Sequence, residues 1–402
     1  MDYIKVSKKL NEKASILNLN DKIEFLECLN YTKLSSFIGK VVPFAKVAVF
    51  FTENSYISYA VPLCESLKMA KLKPISVVLD KEKRLSVDNV KGLFNISEEV
   101  RYLIVTDSVL AECALYFATA MNIPVLFIVS DYNFKGITAN EIEIDNANNV
   151  DNFKTNAKRV IVFDEKSIAK SNVSKAIASI GGKIIALIDY KINSAVMGLS
   201  ENAIAIEMIE DAIDNFLSVS ANDKNAIRLN ALYYSFLVEL LRLSSDNIYA
   251  CSSALATAKL AENTTLESVE GEFFSAKTLL DRYASAFCEK NYGKYVSDYN
   301  CIAQNLCEHT KQSFSAVCSC ILHKVNIFNQ YSGGVKRLCS LLSKTVLRAK
   351  NEIKQMDKLY KANGGKKTYM PKSIIECANL SGYVGKTVNG MTLLSELGFI
   401  NI

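Results

Sequence analysis

The distribution of apolar residues predicts an α/β domain followed by an all-helical one. In the first half, short apolar and β-branched runs alternate with helical stretches. The runs are continuous rather than alternating, which is how strands buried on both faces of a parallel sheet read. After about Ser194 strand runs vanish, and apolar residues recur at helical spacings. A chain of 402 residues exceeds one hydrophobic core. The reading is a Rossmann-like α/β domain over 1–194 and an all-helical domain over 195–402, with a deep cleft between them.

Taken in order, strands are expected at residues 46–51 (KVAVFF), 74–79 (PISVVL), 101–105 (RYLIV), 124–129 (PVLFIV), 159–163 (RVIVF) and 184–188 (IIALI). Helices are expected at 56–71, 108–121 and 166–179, and Gly181-Gly182 is read as the turn into the last strand. Strand–helix–strand repetition argues for a parallel sheet with helices on both faces. In the second half, helical periodicity covers 204–216, 226–243, 272–287 and 302–321, with two short helices inside 376–399. Residues 344–367 form a basic amphipathic stretch ending at Gly364-Gly365, the pattern of a helix with a wet basic face.

Composition narrows the functional classes. Half the residues are hydrophobic and 22% are charged, the balance of a soluble globular chain. A formal charge of +5 is too small and dispersed to indicate a nucleic-acid binder. No apolar run is long enough to span a membrane, and the N-terminus lacks the apolar core of an export signal. The 11 cysteines contain no Cys-x-x-Cys knuckle, so they read as free thiols in a reducing cytoplasm. Cys307, His309, Cys318, Cys320 and His323 cluster in sequence and could hold zinc. Their helical setting turns Cys318 and Cys320 to different faces, and buried thiols are the simpler reading.

In an open parallel sheet a ligand binds beyond the C-terminal strand ends, at the point where strand order reverses. A dinucleotide pyrophosphate there needs bare backbone N–H groups at a helix start, usually exposed by glycines. Here the turn after the first strand reads Thr52-Glu53-Asn54-Ser55-Tyr56, and that after the third reads Thr106-Asp107-Ser108. No glycine occurs between Gly92 and Gly136. Asp107 puts a carboxylate where a phosphate would sit, and it is expected to cap the helix beginning near Ser108. Asp80, at the end of the second strand, stands where a ribose-binding acid could, or forms a turn.

Several strings resemble the iron-containing alcohol dehydrogenase and dehydroquinate synthase superfamily, nearest its sn-glycerol-1-phosphate and glycerol dehydrogenase branch. KVAVFFTENSY (46–56) is similar to the family's first strand and Asp-x-Asn-Thr-Tyr turn. Residues 101–129 resemble its nucleotide-binding strand, loop and helix. IEMIEDAIDNF (206–216), EGEFFSAKTLL (270–280) and TVNGMTLLSELGF (387–399) resemble segments of its helical domain. The resemblance implies NAD or NADP at Asp80, Thr106, Asp107, Ser108 and Ser130, with a divalent metal at Asp211 and Glu270. Lys135 stands where the family has its substrate-side Asp, with Gly136 retained. Departures fall on the chemistry. Thr106-Asp107-Ser108-Val109 replaces the glycine loop, Glu112 and Leu115 replace the following Asp and Lys, and the family histidines fall near Leu255 and on Glu270. A Lewis-acid metal needs about three protein ligands around an open position; two carboxylates suit Mg²⁺ or Mn²⁺ better than iron or zinc.

Two readings follow. One is an NAD(P)-dependent polyol or polyol-phosphate oxidoreductase that passes hydride to or from a carbinol carbon. The other is a catalytically inactive dehydrogenase-like protein that binds a small ligand or partner in the interdomain cleft. A homo-oligomer is compatible with both, and neither implies nucleic acid or membrane.

Overall fold

The computed structural model describes residues 2–27, 29–79, 92–96, 99–132, 134, 136–146, 149–244, 252–261, 268–288, 295–310, 312–331, 334–365, 372–384 and 388–397. The chain forms two compact units, Met1–Ser171 and Asn172–Ile402.

The first unit begins with α1 (Tyr3–Ile16), β1 (Ile23–Phe25), α2 (Tyr31–Val41), β2 (Lys46–Phe51), α3 (Glu53–Met69) and β3 (Lys73–Val78). It continues with β4 (Val100–Val105), α4 (Ala111–Ala120), β5 (Val125–Val129), β6 (Glu141–Asn146), β7 (Asn149–Lys154), β8 (Arg159–Phe163) and α5 (Glu165–Lys170). Six strands make one parallel sheet in the order β1-β8-β5-β4-β2-β3. Alternate strand residues point to opposite faces. Val47, Val49, Phe51, Tyr102, Ile104, Leu126, Ile128, Val160 and Val162 meet Leu34 and Ile38 of α2 and Tyr59, Leu63 and Leu67 of α3. The intervening residues are buried as well, Phe50 against Phe117 of α4 at 5.5 Å between ring centroids. Burial on both faces is why these strands read as unbroken apolar runs. Each fully buried large side chain is worth about 1.5–3 kcal/mol over exposure.

Two strands escaped the sequence reading besides β1. β6 and β7 form a separate antiparallel hairpin, pairing Glu141 with Lys154 and Asn146 with Asn149. The predicted 166–179 helix is two helices, because Asn172 caps a new start through Ser174 N.

The second unit holds α6 (Val173–Gly181), α7 (Lys183–Met197), α8 (Ala203–Leu217), α9 (Lys224–Leu243), α10 (Ser253–Leu260) and α11 (Ser268–Phe287). Then come α12 (Tyr299–Thr310), α13 (Phe314–Gln330), α14 (Val335–Ala362), α15 (Lys372–Leu380) and α16 (Gly390–Glu396). Among its described residues there is no strand. The expected strand at 184–188 is therefore corrected: these residues lie in α7, and the Ser194 boundary falls inside that helix. Residues 183–190 are all buried, and a helix buried all round leaves the same continuous apolar run as a buried strand. Gly181-Gly182 is a helix–helix junction against α11. A Cβ on Gly181 would stand 2.1 Å from the Phe273 ring, and one on Gly182 2.3 Å from Glu272 Cγ. The expected 302–321 helix is split where Ser313 caps α13.

The basic stretch is α14, which ends at Asn363 before Gly364 with φ +82°. Three of its cations make ion pairs. Arg348 meets Glu210, Asp214 and Glu352, Lys350 meets Asp281, and Lys361 meets Asp357. Lys366 and Lys367 lie outside the described residues.

Candidate functional site

The strand order reverses at β2, with β3 on one side of it and β4 on the other. That places the switch point at Thr52, after β2, and at Thr106-Asp107-Ser108, after β4.

Both helix starts at this point are closed by the chain's own side chains. Thr52 and Ser55 form a reciprocal capping box at α3. Thr106 Oγ1 donates to Phe50 O at 3.1 Å and lies 2.9 Å from Ser55 Oγ, tying the two strand ends together. Asp107 caps the 3₁₀ turn Ser108–Leu110 that leads into α4, Oδ1 accepting from Val109 N at 3.2 Å. Its Oδ2 accepts from Thr52 Oγ1 at 3.0 Å. The expected capping by Asp107 is thus present, with a second anchor the sequence had not indicated. Ser108 Oγ makes a long 3.5 Å contact with Asp131 Oδ1, and Ser130 lies half-buried at the end of β5.

The same device recurs after β8. Asp164 Oδ1 accepts from Lys166 N and Ser167 N, and Oδ2 from Tyr59 Oη and Ser167 Oγ, both at 2.6 Å. Burial and the Asp164 hydrogen bond raise the Tyr59 phenol far above its ordinary range. Sequence reasoning missed this pair, although Asp164 directly follows an apolar strand run, the same signal that exposed Asp107.

The start of α4 is also crowded by the loop after β5. Gly136 has φ +89°, and a Cβ there would meet Glu112 Cγ at 3.0 Å and Ala111 Cβ at 3.2 Å. Fully buried Arg159 fixes the loop, donating to the carbonyls of Ile137, Ala139 and Ala157 and to Thr155 Oγ1. Asp80 and Lys135 lie outside the described residues.

These residues do not fit a dinucleotide. A pyrophosphate needs uncapped N–H groups and thin backbone at the helix start. Here a carboxylate holds the N–H of Val109, and side chains stand at Thr106 and Asp107. They do not fit the family's metal centre either. Asp211 is exposed on α8, Leu255 is half-buried on α10, and Glu270 accepts from Tyr360 Oη at 2.8 Å. Among the described residues no three His, Cys, Asp or Glu side chains gather to hold a metal ion, the Cys307–His323 stretch included.

No protein-family model and no curated protein matches the sequence. Solved structures do match in fold. An archaeal halo-thermophilic alcohol dehydrogenase from a Red Sea brine pool is 10% identical, with 94% of this chain and 96% of that one covered at a TM-score of 0.56. Glycerol dehydrogenase from Schizosaccharomyces pombe is 14% identical, with 88% and 94% covered at 0.50. An iron-containing alcohol dehydrogenase is 10% identical, with 90% and 98% covered at 0.50. No helix among the described residues is long and apolar enough to cross a membrane. The chain thus has the dehydroquinate synthase-like fold of the iron-containing alcohol dehydrogenases and glycerol dehydrogenases.

Proposed function

We propose that this chain keeps an alcohol-dehydrogenase scaffold without pyridine-nucleotide redox chemistry, and acts by binding an uncharged, hydroxyl-bearing small molecule. One observation carries the reading: Asp107, with its partners Thr52 and Val109, fills the anion position at the switch point. A carboxylate there repels phosphate and accepts hydrogen bonds from hydroxyl groups. The exposed Asp131, 3.5 Å from Ser108 Oγ, adds a second carboxylate acceptor. A polyol suits such a lining; a nucleotide does not.

The second reading is a polyol oxidoreductase using NAD(P), favoured by the fold shared with glycerol dehydrogenases. A thermal-shift panel separates the two, because a ligand binding only the folded state raises the melting temperature by mass action. Glycerol and larger polyols are expected to shift the melt, and NAD(H) and NADP(H) to leave it unchanged. A shift by micromolar nucleotide would favour the oxidoreductase. Failure of every polyol would remove the ligand class.

A further inference from the structure

Asp189 lies at the middle of α7 with no solvent exposure and takes no part in the strand-end site. Its Oδ2 accepts from Ser253 N and Ser253 Oγ, each at 2.6 Å. Its Oδ1 accepts from Tyr283 Oη and Gly390 N, each at 2.8 Å. Ser253 Oγ and Tyr283 Oη are themselves 2.8 Å apart. One carboxyl group therefore joins α7, the first residues of α10 and α16, and α11.

A count of hydrogens favours the neutral acid. An ionised carboxylate only accepts, so the two N–H and two O–H hydrogens all point at it. The close Ser253–Tyr283 oxygen contact is then left without a hydrogen. One added proton completes the set: Asp189 donates to Tyr283, Tyr283 to Ser253, and Ser253 back to Oδ2. No basic side chain pairs with Asp189 among the described residues. On the helices packed against α7, Arg282 bonds Asn379, Arg348 bonds Glu352, and Lys324 bonds the carbonyls of Gly382 and Val384. Lys183 pairs with Glu239, Lys191 with Glu210, and Glu396 accepts from Tyr299 and Tyr383, while Lys259 is exposed. Among the described residues Tyr283 is the one titratable group that touches the carboxyl, and its own phenol is raised by burial and by Asp189.

We infer that Asp189 is a proton-operated fastener: the folded helical unit holds it as the neutral acid in mildly acidic solution, and loss of that proton loosens the joined starts of α10 and α16. Burial pushes the carboxyl up to about 6, against the opposing pull of the Ser253, Gly390 and Tyr283 hydrogen bonds. An unfolded chain releases the proton near the ordinary value of 3.8. The stabilisation is thus complete below that value and is lost as pH rises through about 6. A difference of about two units lowers the folded-to-unfolded ratio about a hundredfold between pH 4 and pH 7.

Two measurements on the full chain test this. With aspartate labelled with ¹³C at the side-chain carboxyl, one resonance is expected to titrate near pH 6 and to be missing from Asp189→Asn. Denaturation at a series of pH values should show a fall in stability across that range in the native chain that the variant lacks. Native spectra in which every aspartate titrates below pH 5 would overturn the proposal, whether or not the variant folds. So would an Asp189→Asn chain with an unchanged pH profile.

Discussion

Replacing Asp107 separates the two reasons why a nucleotide is refused. Asn is as good a helix cap as Asp, so Asp107→Asn keeps an oxygen for Val109 N, reverses the Thr52 contact so that Nδ2 donates to Oγ1, and removes the charge. Stability should stay within about 0.5 kcal/mol. A phosphate about 4 Å from the native carboxylate meets a repulsion of about 4 kcal/mol at an effective dielectric near 20. Asp107 is half-buried, so water lowers that figure. The expected gain in NADH affinity for Asp107→Asn is between about tenfold and a thousandfold. Asp107→Gly also bares the Val109 N–H, should bind more tightly still, and should lose about 1 kcal/mol of stability with its two hydrogen bonds. Fluorescence titration with NADH reads affinity, and denaturant melts read stability. Equal affinity in the native chain and both variants would refute the reasoning, because neither charge nor capping would then control the site.

Other expectations follow from the packing and the metal-site residues. Lys183 and Glu239 form a buried pair at 3.0 Å, so Glu239→Gln should cost about 3–5 kcal/mol in chemical denaturation; a loss below 1 kcal/mol would contradict it. Gly181→Ala drives a methyl into the Phe273 ring, and a loss of about 1–3 kcal/mol is expected from overpacking. An unchanged melt would mean that α6 and α11 separate easily. Elemental analysis of the purified protein should find no stoichiometric iron or zinc, since Glu270 is engaged by Tyr360 and Asp211 stands exposed. One tightly held metal per chain, lost on Asp211→Ala, would overturn that expectation.

The edge strand β3 of the parallel sheet was legible from its β-branched run, although no residue in it is fully buried. Four other strands, β2, β4, β5 and β8, were legible because burial on both faces writes itself into sequence as unbroken apolar runs. The same signal misled at 184–188, where a helix buried on every side leaves an identical run. Asp189 interrupts that region's apolar character just past Ile188, and a lone acid there was the available clue to a buried polar node. The β6–β7 hairpin carries an alternating signal in Glu141-Ile142-Glu143-Ile144. At the site, the missing glycines located the strand-end turn and its obstructing carboxylate. Thr52 as the partner of Asp107 was not legible, because only strand order brings residues from β2 and β4 together.

The most direct test of the closed switch point is a calorimetric titration of the native chain with NADH. The self-capped geometry predicts no binding heat at submillimolar nucleotide. A saturable isotherm with a micromolar dissociation constant would contradict it, and would return Thr106-Asp107-Ser108 to the role of a nucleotide loop.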